Sequence, residues 1–474
     1  MDQDRGGAAA FAEPVHFIGI GGSGMSGIAR ILAKRGIRVT GSDSKESATL
    51  ESLRTDYAID AYAGHDAFKM AGSGTVVASA AIRGDNVEYA AAGSGQTPLY
   101  SRAEFLGLMM DGYAKSVAVS GTHGKTTTSA MIATILEAGD LDPTVVIGGD
   151  LASIGGNARL GSGDVFVAEA CEAYGSFLSF RSDTAVVTNI EADHLDYYAD
   201  LEAITASFVK FLSQVRTSAV LNVDDINVRA LSIAKQFSAQ CVTYATSVDA
   251  DVVAKHVQAR NGGMTYDVTA YGVALGTIEL KVPGLHNVSN SLAAIAVGLI
   301  YGVNFDAIKR GLASFRGTKR RFEILGTTRD GVTVVDDYAH HPTELTLTLA
   351  AAREAFPGRK IIAAFQPHLP SRTRDFMDDF AHSFSDADYV LITEIFLARE
   401  AALSGVSGAD LAERASQAKG GDVVTYVDDV TVLPTAIRRV IAPGDVLMTL
   451  GAGDDIRAVA EQYLKCESEL VTQS

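Results

Sequence analysis

The residues with the clearest chemistry form one short stretch, Ser120-Gly121-Thr122-His123-Gly124-Lys125-Thr126-Thr127, directly after an apolar run. The apolar run predicts a buried strand, and the Gly-Lys-Thr predicts the start of a helix. Such a loop turns several backbone N–H groups toward one anion, with the helix N-terminus behind them. Lys125 is placed to neutralise phosphates, and the Thr126 hydroxyl to ligate a phosphate-bound Mg²⁺. The stretch therefore predicts a phosphate-binding site.

The spacing of this loop departs from the general P-loop pattern. That pattern, G-x-x-x-x-G-K, needs a glycine at position 119, where this chain has Val119. Gly121 stands only three residues before Gly124. The motif alone leaves open a glycine-rich strand-to-helix turn without a ligand, although Gly-Lys-Thr-Thr after an apolar strand is uncommon by chance.

Two further polar side chains follow predicted strands of the same segment. Glu169 ends the run 164–169, and His194 comes shortly after the run 185–190. Because the carboxyl ends of parallel strands gather at one edge of a sheet, both are predicted to face the phosphates held by Lys125. Thr126, Glu169 and His194 together suit Mg²⁺ or Mn²⁺. Separately, each has a structural alternative, such as capping a turn.

A third polar group opens the alanine-rich helix predicted after Gly284. His286, Asn287 and Asn290 crowd its first turn, and the two asparagines are three residues apart, so they share one helix face. An amide side chain pairs with the donor and acceptor edge of adenine. Helix capping by Asn287 remains the alternative.

The N-terminal segment reads as strand, glycine turn and helix. It satisfies G-x-G-x-x-G twice, through the triplets Gly19/Gly21/Gly24 and Gly22/Gly24/Gly27. Asp43 lies 19 residues after Gly24, about where an acid meets a ribose hydroxyl. The pattern predicts a Rossmann-like unit whose turn, Gly21-Gly22-Ser23-Gly24, binds a diphosphate, but it does not choose between NAD and UDP. A turn without a ligand is the alternative.

The last segment concentrates arginines and histidines after two predicted strands. The run 332–335 leads to Asp336-Asp337-Tyr338-Ala339-His340-His341-Pro342-Thr343-Glu344, and the run 361–366 leads to Pro367-His368-Leu369-Pro370-Ser371-Arg372-Thr373-Arg374. Packing explains these groups poorly, so they predict an anionic ligand. The nearby Lys319-Arg320-Arg321 would, on its own, be a solvated surface.

Length and composition place these motifs in a three-domain α/β protein. The 474 residues predict a Rossmann-like domain at 1–112, a central P-loop-type domain at 113–316 and a second Rossmann-like domain at 317–474. A hydrophobic content of 47% with 20% charged residues is typical of a soluble globular protein. The net charge of −17 argues against non-specific nucleic-acid binding. No apolar run is long enough for membrane insertion, no signal peptide is visible, and three scattered cysteines suit a reducing cytoplasm.

These motifs, taken together, resemble the Mur ligase family, ATP-dependent ligases that add amino acids to UDP-N-acetylmuramoyl substrates in peptidoglycan synthesis. The likeness runs nearly end to end and rests on the shortened phosphate loop, Asn189-Ile190-Glu191-Ala192-Asp193-His194, Gly284-Leu285-His286-Asn287 and the two polar runs of the last segment. It implies ATP and Mg²⁺ or Mn²⁺ as cofactors, UDP-N-acetylmuramate and L-alanine as substrates, and a monomer or weak homodimer.

The resemblance also implies roles at matching positions, which are expectations at this point. Lys125 neutralises the β- and γ-phosphates, and Arg320 or Arg321 stabilises the transferring phosphoryl group. Tyr338, His340 and Arg372 meet the alanine or the tetrahedral intermediate. The predicted ATP-binding residues are Gly121, Thr122, His123, Gly124, Lys125, Thr126, Thr127, His286, Asn287 and Asn290. The predicted UDP-sugar residues are Gly21, Gly22, Ser23, Gly24 and Asp43.

Several positions depart from the family pattern. Cys171 and Tyr174 replace acids of many members, and Leu369 replaces a basic residue. The stretch 394–400 is also atypical. Where some relatives carry a carbamylated lysine, this chain has Val209 beside Lys210, so no such modification is predicted.

Three other functions stay open from the sequence. A sister ligase would attach a recycled peptide to the same sugar nucleotide. A nicotinamide dehydrogenase would use the N-terminal glycines. A non-enzymatic nucleotide switch would leave the polar groups of the last segment without a purpose.

Overall fold

The protein is described by a computed structural model covering residues 11–469, with side chains to residue 465. Its strands form three separate sheets of five, ten and six strands. Each sheet is built from one continuous stretch of chain, in the order of the three predicted segments.

The first sheet is wholly parallel and carries the N-terminal glycine turn. Its strands are β1 (Val15–Ile18), β2 (Val39–Asp43), β3 (Asp60–Ala63), β4 (Thr75–Ala78) and β5 (Leu99–Ser101). Its helices are α1 (Ser23–Lys34), α2 (Ala48–Tyr57), α3 (Ala67–Met70), α4 (Val87–Ser94) and α5 (Arg102–Asp111). The strand order β3-β2-β1-β4-β5 reverses between β1 and β4, and ligands of such sheets bind at that point.

The second sheet contains the phosphate loop between its first strand and its first helix. Its strands are β6 (Lys115–Ser120), β7 (Thr144–Leu151), β8 (Gly156–Arg159), β9 (Val165–Glu169), β10 (Thr184–Val187), β11 (Ser218–Asn222), β12 (Gln240–Ala245), β13 (Val252–Arg260), β14 (Gly263–Ala270) and β15 (Val273–Leu280). Its helices are α6 (Lys125–Ala138), α7 (Leu201–Ser213), α8 (Ile226–Ala234), α9 (Leu285–Ile300) and α10 (Phe305–Ser314). The order is β15-β14-β13-β12-β11-β10-β6-β9-β7-β8, parallel from β13 to β7 with antiparallel strands at both ends.

Strand β6 is buried on both faces, which explains its continuous apolar run. Val117 and Val119 pack among α6 and α9, whereas Ala118 points into the core on the opposite face. Successive side chains of a strand alternate between faces, so a sheet covered on both sides reads as apolar throughout.

The third sheet is parallel except for one edge strand. Its strands are β16 (Glu323–Thr327), β17 (Thr333–Asp337), β18 (Ile361–Phe365), β19 (Tyr389–Thr393), β20 (Val424–Val427) and β21 (Val446–Leu450). Its helices are α11 (Pro342–Ala355), α12 (Pro370–Asp375), α13 (Met377–His382), α14 (Gly408–Lys419), α15 (Leu433–Val440) and α16 (Asp454–Glu469). The order is β16-β17-β21-β18-β19-β20, with β16 antiparallel.

The predicted α/β fold with three sheet-based units is confirmed. The domain boundaries after residues 112 and 316 stay predictions. Among the described residues, no helix is long and apolar enough to cross a membrane.

Candidate active site

The phosphate loop needs its two glycines because neighbouring strands and helices press against it. Gly121 has φ +131° and Gly124 has φ +82°, a region that side chains other than glycine rarely adopt. A Cβ on Gly124 would lie 2.5 Å from Asn290 Oδ1, and one on Gly121 would lie 2.9 Å from the backbone nitrogen of Thr188. The loop is therefore fitted between β10 and the start of α9.

Lys125, the first residue of α6, is held by a carboxylate for which the sequence analysis predicts no role. Its Nζ lies 2.9 Å from Glu172 Oε2 and donates to the carbonyl of Thr122 at 2.8 Å. Burial alone disfavours the ammonium, but the buried Glu172 raises the pKa of Lys125 above its ordinary value. Glu172 follows the end of β9 by three residues, and that strand-end position was the available signal.

Thr126 and Glu169, the two predicted metal ligands nearest the phosphate loop, are in direct contact. Thr126 Oγ1 donates to Glu169 Oε2 at 2.8 Å, and the same oxygen accepts from the Gly148 N–H at 2.8 Å. A hydroxyl and a carboxylate beside the phosphate loop form the oxygen-rich ligand set that Mg²⁺ prefers. His194 reaches the loop indirectly, because its Nε2 lies 3.6 Å from Glu172 Oε1.

A cavity of about 280 Å³ lies between the phosphate loop and the start of α9. His286, Asn287 and Asn290 line it together with Gly124 and Thr127, so the predicted adenine-site residues share one cavity. Burial lowers the pKa of His286 to about 4, which keeps it neutral.

Asn287 does not cap α9, so that alternative is wrong. Gly284 is the N-cap, and Asn287 Nδ2 donates backward to the carbonyl of Pro283 at 2.7 Å. Asn290 Oδ1 accepts from Thr128 Oγ1 at 3.2 Å, which ties α9 to α6.

The two adjacent arginines after the central unit face different surroundings. Arg321 lines the cavity and lies 3.7 Å from Glu344 Oε1. The Arg320 guanidinium instead donates to the carbonyls of Gly451 and Gly453, at 2.8 and 2.7 Å, and lies 3.3 Å from Asp336 Oδ2. This geometry favours Arg321 as the phosphoryl contact, and the role of Arg320 stays a prediction.

The residues predicted to bind the incoming amino acid form a series of contacts that ends on the central unit. The ring of His340 lies 5.2 Å from that of Tyr338 and 5.9 Å from that of His368. The Arg372 guanidinium lies 3.4 Å from His368 Nδ1 and 2.9 Å from Asp193 Oδ1. Burial lowers the pKa of His340 to about 3 and that of His368 to about 4, so both rings are neutral.

Arg372 and Asp193 form a buried ion pair between the third and central units. Their side chains are only 6% and 9% exposed. Although burial opposes ionisation, Arg372 lowers the pKa of Asp193 below its usual range. The sequence signal for Asp193 was its place beside His194, at the end of a predicted strand.

The two atypical stretches meet across the same boundary. The Arg399 guanidinium lies 3.4 Å from Asp196 Oδ2 and 5.5 Å from the ring centre of Tyr174. Glu400 accepts from the backbone N–H and hydroxyl of Ser371, at 2.9 and 2.6 Å, and so fixes the turn before Arg372.

The turn predicted to bind the sugar nucleotide follows β1, the central strand of the first sheet, at its carboxyl end. Asp43 Oδ2 accepts from the Gly21 N–H at 2.9 Å, and Gly22 is the N-cap of α1, whose first residues are Ser23 and Gly24. Asn157 of β8 donates to the Ser23 carbonyl at 2.9 Å, so the central unit contacts this turn. The role of Asn157 was missed, because it depends on a contact between residues 134 positions apart.

Comparison with known families matches three models along the chain. The Mur ligase family catalytic domain matches residues 14–114, the Mur ligase middle domain matches residues 119–298, and the Mur ligase glutamate ligase domain matches residues 320–453. The predicted resemblance is thereby confirmed.

Curated relatives and solved structures agree with these models. UDP-N-acetylmuramate–L-alanine ligases from Salinibacter ruber and Burkholderia multivorans are each 46% identical, covering 94% and 93% of this chain and 93% and 95% of theirs. The crystal structure of UDP-N-acetylmuramate–alanine ligase from Thermotoga maritima matches with a TM-score of 0.79 at 29% identity, covering 96% of this chain and 99% of that one. A murein peptide ligase from Psychrobacter arcticus shares the fold, with a TM-score of 0.68 at 24% identity, covering 96% and 98%.

Proposed function

This chain belongs to the Mur ligase family, and from that premise we propose that it joins L-alanine to the carboxylate of UDP-N-acetylmuramate at the expense of ATP. This is a step of peptidoglycan precursor synthesis. The observation that carries the proposal is the 46% identity, over 94% of the chain, with a ligase of that name. The convergence of the phosphate loop and the Arg372 group on one boundary supports it.

The reaction consists of two displacements. A carboxylate oxygen of the sugar nucleotide attacks the γ-phosphorus of ATP, the bond to the bridging oxygen breaks, and ADP leaves an acyl phosphate. The alanine nitrogen then attacks the acyl carbon, and a tetrahedral intermediate forms. Its C–O bond breaks, inorganic phosphate leaves, and the nitrogen loses a proton. Phosphoryl transfer of this kind needs positioning and charge neutralisation more than a protein nucleophile.

On the ATP side, the residues of this chain bind and neutralise. Lys125 exchanges its contact with Glu172 for the β- and γ-phosphates, and Arg321 approaches the transferring group from the third unit. Thr126 and Glu169 would hold a Mg²⁺ or Mn²⁺ ion, which would neutralise the phosphates, with His194 as a candidate ligand for a second ion.

On the alanine side, Arg372 and His340 orient the incoming amino acid. Arg372 offers a guanidinium fork that suits a carboxylate. His340 Nδ1 lies 2.8 Å from the Tyr338 carbonyl, so Nδ1 donates there and the neutral ring presents the lone pair of Nε2. That nitrogen is available to accept a hydrogen bond from the alanine nitrogen and so to orient it.

A ligase that attaches a recycled peptide is the second candidate, because a murein peptide ligase shares the whole fold. Measuring phosphate release with UDP-N-acetylmuramate and ATP decides between the two, with each amino acid and a tripeptide tested in turn. Release with L-alanine and none with a tripeptide is the expected result. Release with the tripeptide alone overturns the proposal.

The nicotinamide alternative is tested on the same protein by fluorescence titration with NADH. We expect no saturable change, because the N-terminal turn is assigned to the UDP diphosphate. Saturable binding of NADH would contradict this assignment.

A further inference from the structure

Three ligand atoms, one of them from the phosphate loop itself, converge at the boundary between that loop and α11, and none of them belongs to Thr126, Glu169 or His194. They belong to His123, Glu191 and His341, and all lie within 4.8 Å of one another. His123 and His341 are only 7% and 4% exposed. Two imidazoles and a carboxylate form a ligand set typical of zinc in proteins.

The hydrogen bonds decide which way His123 presents its ring. Its Nδ1 lies 3.2 Å from Glu344 Oε1, so Nδ1 carries the proton and donates to that carboxylate. The other nitrogen, Nε2, is buried without a hydrogen-bond partner and lies 3.5 Å from Glu191 Oε2. A metal-bound histidine commonly donates its other N–H to a carboxylate, and Glu344 occupies that position.

His341 turns its Nδ1 toward the same oxygen. The lone pair of Nδ1 accepts a long 3.3 Å hydrogen bond from the Thr343 N–H, which a bound ion must displace, and Nδ1 lies 4.0 Å from Glu191 Oε2. Thr343 Oγ1 donates to that oxygen at 2.6 Å and orients the carboxylate. Ligands of a tetrahedral zinc ion stand about 3.3 Å apart, and these atoms lie within 4.8 Å of one another, so the side chains need to close by at most about 1.5 Å.

The charges around His123 make the position favourable for a cation. Although burial disfavours the imidazolium, Glu191 and Glu344 raise the pKa of His123 to about 9. A metal ion supplies the same positive charge between the carboxylates when it displaces that proton. A groove of about 610 Å³, lined in part by Glu191 and His341, gives an ion access from solvent.

We propose that His123, Glu191 and His341 bind a first-row transition ion of the zinc type, at a site separate from the phosphate-bound Mg²⁺. The imidazole ligands select such an ion over Mg²⁺, which prefers oxygen. Because His123 and Glu191 lie in the central unit and His341 starts α11 of the third, the bound ion clamps the third unit onto the phosphate loop.

The experiment uses Co²⁺ as a spectroscopic probe of the full-length, metal-free protein in excess Mg²⁺. Co²⁺ in a tetrahedral site absorbs visible light, and Mg²⁺ occupies the oxygen-rich site at Thr126 and Glu169. We expect a saturable band in the wild type and at least a tenfold higher Kd, by analogy with metal-site mutants (roughly 10–100-fold), in His341→Ala. His382→Ala is the matched control, because His382 lines the same groove but is not one of the three ligands.

Glu191→Gln is the second variant and is decisive if His341→Ala does not fold. It keeps the shape of the side chain and removes the charge. We expect Co²⁺ to raise the thermal midpoint of the wild type and of His382→Ala, but not that of Glu191→Gln. An equal Kd in all variants, or no saturable band in the wild type in excess Mg²⁺, overturns the proposal.

Discussion

The ammonium of Lys125 has a buried carboxylate partner, Glu172, within the protein. ATP must therefore replace one anionic partner with another, and the lysine keeps its charge throughout. Lys125→Ala leaves both the phosphates and the buried Glu172 without a cation. We expect kcat for phosphate release to fall by about 10²–10³-fold or more, as for other losses of a preorganised electrostatic contact.

Binding of UDP-N-acetylmuramate should survive that substitution, because its predicted turn lies in the first sheet. Calorimetric titration of Lys125→Ala with the sugar nucleotide measures this. Lys210→Ala is the control, since Lys210 is exposed on α7 and its variant should turn over normally. Turnover retained in Lys125→Ala would refute the assignment of the phosphate loop.

Asp337, at the end of β17, makes the stability of the folded protein depend on pH. Burial raises its pKa to about 6, above the ordinary value of 3.8, even though Arg321 opposes this. The folded protein therefore binds more protons than the unfolded chain between pH 4 and 6, and stability falls as pH rises through that window. Above pH 6 this group lowers the free energy of unfolding by about 3 kcal/mol relative to its value below pH 4.

Asp337→Asn should remove this part of the pH dependence. Denaturant midpoints measured at pH 4.5 and at pH 7 for both proteins give the comparison, and only the change with pH is interpreted. The Phe322 and Ala339 N–H groups donate to different oxygens of Asp337, and asparagine replaces one of these oxygens with an NH₂ donor, so the variant loses some stability at every pH. An identical pH profile in the two proteins would contradict the raised pKa.

At the scale of secondary-structure elements, the phosphate loop packs closely against α9. A methyl group on Gly124 meets Asn290 Oδ1 at 2.5 Å and would be strained at φ +82°. Gly124→Ala should therefore weaken ATP binding by about tenfold or more, a cost of about 1–3 kcal/mol for a strained backbone. Nucleotide titration measures the loss.

Gly93→Ala is the matched control for that substitution. Gly93 lies in α4, and a Cβ there meets nothing within 4 Å. Its variant should bind ATP normally and be as stable as the wild type or slightly more so. Equal ATP affinity in both variants would show that the loop can move away from Asn290.

The elements that position the site were largely predictable from the chain, because each carries its own local signal. Such signals are Gly124-Lys125-Thr126 at a strand end and, in the first unit, the glycine-rich turn with Asp43 at the end of the next strand. Glu172 as the partner of Lys125 was not predictable, since that pairing depends on how the turn after β9 folds back. Local sequence also does not tell Arg320 from Arg321. The positive φ of +58° at Arg320 turns adjacent side chains in different directions.

At the scale of the whole molecule, contacts between the central and third units complete the site. Lys319 lies 3.2 Å from Asp150 Oδ2, Thr343 reaches Glu191, and Arg372 reaches Asp193. In the proposed function, ATP binds mainly in the central unit and the amino acid in the third. Ligation requires both at one place, so the strength of this boundary bears directly on turnover.

Arg372→Gln tests that relation, because Arg372 supplies the buried ion pair of the boundary. Removing one partner of a buried pair costs about 3–5 kcal/mol, since the other charge stays buried and unpaired. We expect kcat/KM for L-alanine to fall by at least about 10²-fold. Amides of α12 and of residues 190–196 should exchange faster with solvent, because the boundary opens more often.

Arg374→Gln is the control, since Arg374 lies on the same helix, is exposed and pairs locally with Asp375. If Arg372→Gln loses activity while its exchange matches that of the control, Arg372 acts on alanine alone and the boundary does not depend on it.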